Sequence, residues 1–237
     1  MKAAIFDKFG SAQEVLEIQN IEDPKINDNE VIVKLSKSGV NPSDVKKRAG
    51  AFSNLLDNGF VVPHSDGAGV IVDVGNEVSR DRIGERVWVY QAQYERNYGT
   101  AAELLSIDSS RAVKLPDNTS LETGACLGIP AMTAHRCIFA DGSVEGKNIL
   151  VTGGAGRVGF YAIQWGKLFG ATVITTASND DDKQACIDIG ADGVINHREE
   201  DWELSALDAN HGEKFDRLVD VEFGANLNNT LNIMKTG

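Results

Sequence analysis

Short runs of alternating hydrophobic and polar residues dominate the first half of the chain. Each run is bounded by Gly, Pro, Asn or Asp, which is typical of β-strands separated by turns. The pattern predicts strands at residues 2–6, 15–21, 31–36, 69–74, 86–90 and 102–107. We therefore expect a small, mostly β unit at the start of the chain.

Near residue 119 the pattern changes to helical spacing, and a helix-like stretch covers residues 120–139. Strands and helices then alternate, with strands at 148–152, 172–177, 193–196 and 215–221 and helices at 157–169, 180–189 and 199–209. This order predicts an α/β domain, in which right-handed crossovers build a doubly wound parallel sheet. In the first of these helices Val158, Ala162, Trp165 and Phe169 share one face, which we expect to pack on the sheet.

A glycine-rich turn follows the apolar strand 148–152 and precedes the helix, with Gly153, Gly156 and Gly159 evenly spaced. Glycine allows a tight turn, a close approach to a pyrophosphate and close helix–strand packing. Amide groups at the helix N-terminus can then bind phosphates. Counted from Gly153, the first gap is one residue longer than in G-x-G-x-x-G, but the order of strand, turn, helix and strand favours a dinucleotide site.

Composition narrows the function classes. The 237 residues carry a net charge of -12, which argues against binding of a nucleic-acid backbone. No apolar run is long enough to span a bilayer, so we expect no membrane partner. Cys126, Cys137 and Cys186 are far apart and suggest no disulfide framework, which favours a cytoplasmic location.

The predicted domains are residues 1–122 and 123–237. The second contains only four predicted strands, whereas a doubly wound dinucleotide fold usually has six. We therefore expect a chain that is truncated after the fourth strand.

Seven segments, taken in order, resemble the medium-chain dehydrogenase/reductase superfamily in its zinc-free quinone oxidoreductase (zeta-crystallin-like) branch. They are NPSD at 41–44, SDGAG at 65–69, IGERVW at 83–88, GTAAE at 99–103, LGIPAMTA at 127–134, the glycine turn, and VINHREED at 194–201. The resemblance implies a GroES-like catalytic domain followed by a Rossmann-type NAD(P)-binding domain, with the nicotinamide between them. It also implies a homodimer for the full-length protein.

Zinc is expected to be absent. The positions that match the zinc ligands of other superfamily members are Asn41, Ser65 and Ile129, and none supplies a thiolate or imidazole. Reduction without a metal requires hydrogen-bond donors placed near the acceptor oxygen.

By resemblance, the candidate catalytic residues are Asn41, Lys46 and Thr133. Asn41 can donate an amide hydrogen to the substrate or cap the short helix that Pro42 begins. Lys46 stands where this branch commonly has tyrosine, so it either donates to the substrate or cofactor or is a solvated surface lysine. This departure disfavours flat aromatic quinones as preferred substrates, because lysine cannot stack on a ring as tyrosine does.

For the cofactor, the resemblance assigns Ala155, Gly156, Arg157 and Val158 to the pyrophosphate turn. Arg157 either pairs with phosphate or points to solvent. Asn226 matches a contact near the nicotinamide ribose, with an ordinary turn as the alternative.

The residue at the end of the second strand of the dinucleotide domain favours NADPH over NADH. An acid there would bind the ribose 2′-hydroxyl and repel a 2′-phosphate, but the position holds Ser178. Lys183 and His197 could supply positive or donor groups. Against this, three consecutive acids follow at residues 180–182, where carboxylates also stabilise a helix N-terminus.

The leading hypothesis is an NADPH-dependent, zinc-free reductase of quinones. One alternative is reduction of the carbon–carbon double bond of alkenals and enones. A second is a non-catalytic nucleotide-binding protein, either crystallin-like or RNA-binding, although no basic-aromatic stripe supports RNA binding.

Overall fold

The computed structural model describes residues 1–236, which form two compact units. The first spans Met1–Ile129 and the second begins at Pro130. The domain boundary predicted after residue 122 stays a prediction.

The first unit is mostly β, as predicted. Its strands are β1 (Lys2–Ile5), β2 (Glu17–Asn20), β3 (Glu30–Gly39), β4 (Asp66–Val74), β5 (Arg86–Val89), β6 (Leu104–Asp108) and β7 (Ala112–Lys114). Strands β1 and β2 pair antiparallel, and the other five form an antiparallel sheet in the order β6-β3-β4-β5-β7. Alternate residues along β3, such as Val31 and Val33, are buried in the core of this sheet, which explains the period-two pattern.

Helices of the first unit are short. They are α1 (Ala12–Val15), α2 (Pro42–Arg48) and α3 (Leu121–Gly124), with 3-10 turns at Ser53–Leu56, Arg80–Arg82 and Ser109–Arg111. The predicted strand at 15–21 is wrong at its start, because Val15 ends α1 and the strand begins at Glu17. Val15 is buried in a local cluster with Phe6 and Val61, so its apolar side chain packs into the core from the end of α1.

The second unit contains the predicted parallel sheet. Its strands are β8 (Asn148–Val151), β9 (Thr172–Thr176), β10 (Gly193–Ile195) and β11 (Arg217–Val219), in the order β10-β9-β8-β11. The helices are α4 (Met132–Phe139), α5 (Arg157–Leu168), α6 (Asp180–Asp188), α7 (Trp202–Ala209) and α8 (Phe223–Asn232). All three strand pairings are parallel, as the β-α-β pattern predicted.

Two predictions about helices require correction. The stretch 120–139 is not one helix, since a π-helical turn at Leu127–Ala131 separates α3 from α4. Pro130 lies in that turn and cannot donate the backbone hydrogen bond that a continuous helix needs.

The predicted face of α5 is correct only in part, because Ala162 is buried and Val158 and Trp165 are partly buried against the same core. Its buried residues are Gly159, Ala162, Ile163 and Gly166, whereas Phe169 is 48% exposed and follows the helix. Glycine lets the helix approach the sheet closely, so this face contains small residues that a search for large apolar side chains overlooks. Trp165 also packs edge-to-face on His135 and Phe139 of α4.

Within residues 1–236, no helix is both long and apolar enough to cross a membrane.

Candidate functional site

The parallel sheet has a topological switch point beside β8. The chain runs from β8 to β9 and β10 on one side, and then returns to place β11 on the other side of β8. In open α/β sheets, ligands bind outside the carboxyl ends of the strands at such a point. The glycine turn follows β8 directly, so the fold places it at the expected position.

Within the turn, Gly153 adopts a left-handed backbone (φ 64°). Its N–H donates to Thr176 Oγ1 (2.9 Å), and Gly154 N–H donates to the Thr176 carbonyl (2.9 Å). A Cβ on Gly159 would overlap the Gly153 carbonyl oxygen, so only glycine fits there. These contacts hold the turn against the end of β9.

Gly156 is the N-cap of α5, and its own N–H donates to the Gly153 carbonyl (2.9 Å). It therefore leaves phosphate binding to neighbouring amides. The first amides of α5 have no partner within the helix. Arg157 and Val158 are the first two residues of this helix, and the Arg157 side chain is exposed.

Two cavities lie near the carboxyl ends of the parallel strands. One of about 260 Å³ is lined by Ser178, Asn179, Asp180, Lys183 and Glu199, among others. Asn179 caps α6 by accepting the Asp182 amide hydrogen (2.9 Å), and it also donates to Asp182 Oδ2 (2.7 Å). Asp182 is thereby held as a first-turn acid of the helix.

The second cavity, of about 270 Å³, is at the switch point. It is lined by Thr152, Gly153, Thr176, His197, Trp202, Val221, Glu222, Ala225 and Asn226. The structure thus brings Ser178 together with Lys183, and His197 together with Asn226. Asn226 Nδ2 donates to Asp220 Oδ1 (3.2 Å), which also accepts from Thr152 Oγ1 (2.7 Å). The sequence pattern did not single out Asp220, although it directly follows an apolar strand.

The candidate catalytic residues differ in burial. Lys46 on α2 and Thr133 on α4 are exposed, whereas Asn41, the N-cap of α2, is only 3% exposed. Asn41 Nδ2 donates to Asp66 Oδ2 (2.8 Å), and the Asn41 backbone N–H donates to Asp44 Oδ2 (2.8 Å). Asn41 is therefore positioned between two buried carboxyl groups.

Asp66, at the start of β4, was not among the candidates. Its Oδ2 also accepts the Ile129 amide hydrogen (2.8 Å), and a Cβ on Gly128 would overlap the carboxyl group. Burial raises the pKa of Asp66 to about 6, and the nearby Asp44 charge acts in the same direction. An acid between a serine and two glycines, in SDGAG, was the available sequence signal.

The three positions matched to zinc ligands hold residues that supply neither a thiolate nor an imidazole. Asn41 directs its amide nitrogen to Asp66, Ser65 is buried, and Ile129 contributes a backbone amide hydrogen. In the described part of the chain, no group of three or more His, Cys, Asp or Glu residues could hold a metal ion.

Comparisons with known proteins agree with both halves of this architecture. The family model "Alcohol dehydrogenase GroES-like domain" matches residues 27–117, and the model "Zinc-binding dehydrogenase" matches residues 158–237. A quinone oxidoreductase of Pongo abelii is 33% identical over 242 residues, covering 100% of this chain and 71% of the relative. The chain belongs to the quinone oxidoreductase branch of the medium-chain dehydrogenase/reductase superfamily. The predicted family, the α/β fold class and the assignment as an oxidoreductase are confirmed.

Two further relatives bear on the chemistry. A 2-methylene-furan-3-one reductase of Solanum lycopersicum is 32% identical over 209 residues, covering 86% of this chain and 54% of the relative. The structure of an Escherichia coli quinone oxidoreductase complexed with NADPH matches with a TM-score of 0.84 at 25% identity. That match covers 99% of this chain and 70% of the other.

Proposed function

We propose that this chain is an NADPH-dependent, zinc-free reductase that transfers hydride to quinones. The glycine turn at the switch point of the parallel sheet is the observation that carries the proposal. Its support comes from the quinone oxidoreductase relatives and from the similar Escherichia coli structure that holds NADPH.

The residues at the turn fit a dinucleotide. The amides at the start of α5 and the positive end of its dipole favour the diphosphate, with Ala155, Gly156, Arg157 and Val158 around it. The left-handed backbone at Gly153 and the absence of a side chain at Gly159 let the turn pack tightly against the start of α5. In the proposed arrangement Asn226 and His197 line the cavity at the switch point, and Ser178 and Lys183 bind the 2′-phosphate.

The acceptor would be polarised by side chains. A bound NADPH supplies the hydride, and the oxygen of the reduced acceptor gains negative charge. Asn41 uses one amide hydrogen on Asp66 and retains a second for this oxygen. Lys46 and Thr133 stay candidate donors. Asn41, Ser65 and Ile129 supply neither a thiolate nor an imidazole, which favours a reaction without zinc.

Reduction of an enone double bond is the second candidate. The tomato 2-methylene-furan-3-one reductase supports it, because that relative matches most of this chain. Hydride transfer to the β-carbon of an enone also leaves charge on an oxygen, so the same donors would serve.

Titration of the chain with NADPH and NADH, followed by nicotinamide fluorescence, tests the cofactor. We expect tighter binding of NADPH, and Lys183→Met should weaken NADPH binding on the order of tenfold while leaving NADH binding unchanged. The exposed Lys214, which lines neither cavity, provides the matched control variant Lys214→Met. Absence of binding by both nucleotides would refute the proposal.

Loss of NADPH absorbance with a benzoquinone and with a short 2-alkenal then tests the acceptor. Faster oxidation with the quinone supports the first candidate, and faster oxidation with the alkenal supports the second. Cofactor binding without turnover on either would favour the non-catalytic alternative.

The domain division at 122/123, a cytoplasmic location, a homodimer of the full-length protein and the absence of nucleic-acid binding complete the proposal.

A further inference from the structure

A buried polar cluster includes the candidate catalytic residue Asn41. We define the Asp66 cluster as Asn41, Asp44, Lys47, Asp66 and Gln93, all in the first unit. Asn41, Asp44, Asp66 and Gln93 are each at most 4% exposed. Lys47 is half-buried, and its Nζ donates to Gln93 Oε1 (3.3 Å).

Several polar atoms of this cluster have no partner within residues 1–236. They are Oδ1 of Asp44, Oδ1 of Asp66 and Nε2 of Gln93. Buried polar atoms are costly when they are unpaired, and such atoms often mark a functional site. An ammonium group carries three hydrogens, so Lys47 retains two donors after its bond to Gln93.

Lys47 interacts electrostatically with both carboxyl groups. Burial lowers the pKa of Lys47, and the charges of Asp44 and Asp66 oppose this change. His64 also faces Asp44, and its pKa is lowered by burial and by Arg48, against the effect of Asp44. Lys47 is thus a partly desolvated ammonium, which releases a proton more readily than a surface lysine does.

We propose that Lys47 is a further catalytic residue, which donates the proton that completes reduction of the acceptor oxygen. This inference rests on the proposed function. Hydride from the reduced nicotinamide brings two electrons and one proton to the acceptor, leaving an oxyanion. One N–H bond of Lys47 breaks and an O–H bond forms, which leaves a neutral amine and a neutral product oxygen. The amine then regains a proton from solvent.

The neighbouring Lys46 provides a comparison between an exposed lysine and the half-buried Lys47. Both lysines lie on α2, but Lys46 is exposed and its side chain has no hydrogen bond or ion pair within the described residues. Asp44 and Lys47 are three residues apart, so they share one face of the helix.

Turnover by Lys47→Met, Lys47→Arg and Lys46→Met tests the proposal, with Lys8→Met as an exposed control outside the site. We expect Lys47→Met to lower kcat about 100-fold while NADPH binding is unchanged. Lys47→Arg should be similarly slow, because arginine keeps the charge but does not release a proton. The fall in wild-type activity as pH rises through the Lys47 pKa should be absent in Lys47→Met.

A second measurement is independent of turnover. Reductive ¹³C-methylation of the lysines gives an NMR signal for Lys47, identified by its absence in Lys47→Met. Its titration midpoint should fall in Asp66→Asn, because the neutral amide no longer stabilises the ammonium.

The outcomes separate the two proposals. Full activity of Lys47→Met with an active wild type would overturn the role of Lys47 and leave the reductase intact. An unmoved Lys47 titration in Asp66→Asn would also overturn it. A wild type that binds NADPH but reduces neither acceptor would refute the reductase and the proton donor together.

Discussion

The glycine turn of the second unit and the Asp66 cluster of the first unit are built in different ways. The turn is a contiguous segment whose key contacts reach only to the end of the next strand, as from Gly153 to Thr176. The cluster joins residues from α2, the start of β4 and Gln93 in the loop after β5. A local element can be identified from the spacing of its residues, whereas a cluster of distant polar groups is visible only after folding.

The two sites also depend on different kinds of interaction. At the turn, the proposed contacts to the diphosphate are backbone amides, and glycines take the place of larger side chains. In the cluster, charged and amide groups are withdrawn from water, and burial raises the pKa of Asp44 and Asp66 and lowers that of Lys47. The first site should respond to steric substitutions and the second to changes of charge.

The largest expected effect comes from Gly159→Val at the turn. Its side chain would overlap the Gly153 carbonyl oxygen, so we expect a loss of stability on the order of 3 kcal/mol and a loss of NADPH binding of more than about 100-fold. Denaturant unfolding and fluorescence titration measure both. Gly224→Ala is the control, because nothing lies within 4 Å of a Cβ there. Normal nucleotide binding by Gly159→Val would contradict the proposed site.

Asp66→Asn should change the pH dependence of stability. Burial raises the pKa of Asp66 from its ordinary 3.8 to about 6 in the folded chain, so the folded state binds the proton more tightly than the unfolded state. This group therefore favours the fold most below about pH 4, and that contribution is lost as the pH rises through about 6. The full difference is roughly 3 kcal/mol.

Thermal unfolding of wild type and Asp66→Asn between pH 4 and 7.5 measures this effect. We expect the wild type to lose stability relative to the variant across that interval. Asp73→Asn, at an exposed position on the same strand, serves as the control. Parallel curves for wild type and Asp66→Asn would show that the carboxyl group is not perturbed.

The smallest expected effect is at the N-terminus of α6. Asn179→Ala removes the side chain that accepts the Asp182 amide hydrogen, which should cost about 1 kcal/mol. Asn179→Ser should retain most of the stability, since serine is also a good N-cap. Chemical unfolding distinguishes the two variants, and equal stability of Asn179→Ala and wild type would rule out the capping role.

Much of the fold could be predicted because its signals are local. Alternation along residues 31–36 identified a strand, and the order of strands and helices after residue 148 identified a parallel sheet. The interruption at Pro130 and the small-residue face of α5 were missed. Both depend on how backbones pack against neighbouring elements.

The candidate site divides in the same way. Sequence alone determined the glycine turn, because phosphate binding at a helix N-terminus requires glycines at fixed local spacing. Only the tertiary structure placed Asp66 against Asn41 and drew Lys47, rather than Lys46, toward buried carboxyl groups. Burial and proximity between distant segments set the charge state of a side chain, and neither property is encoded in any short stretch of the chain.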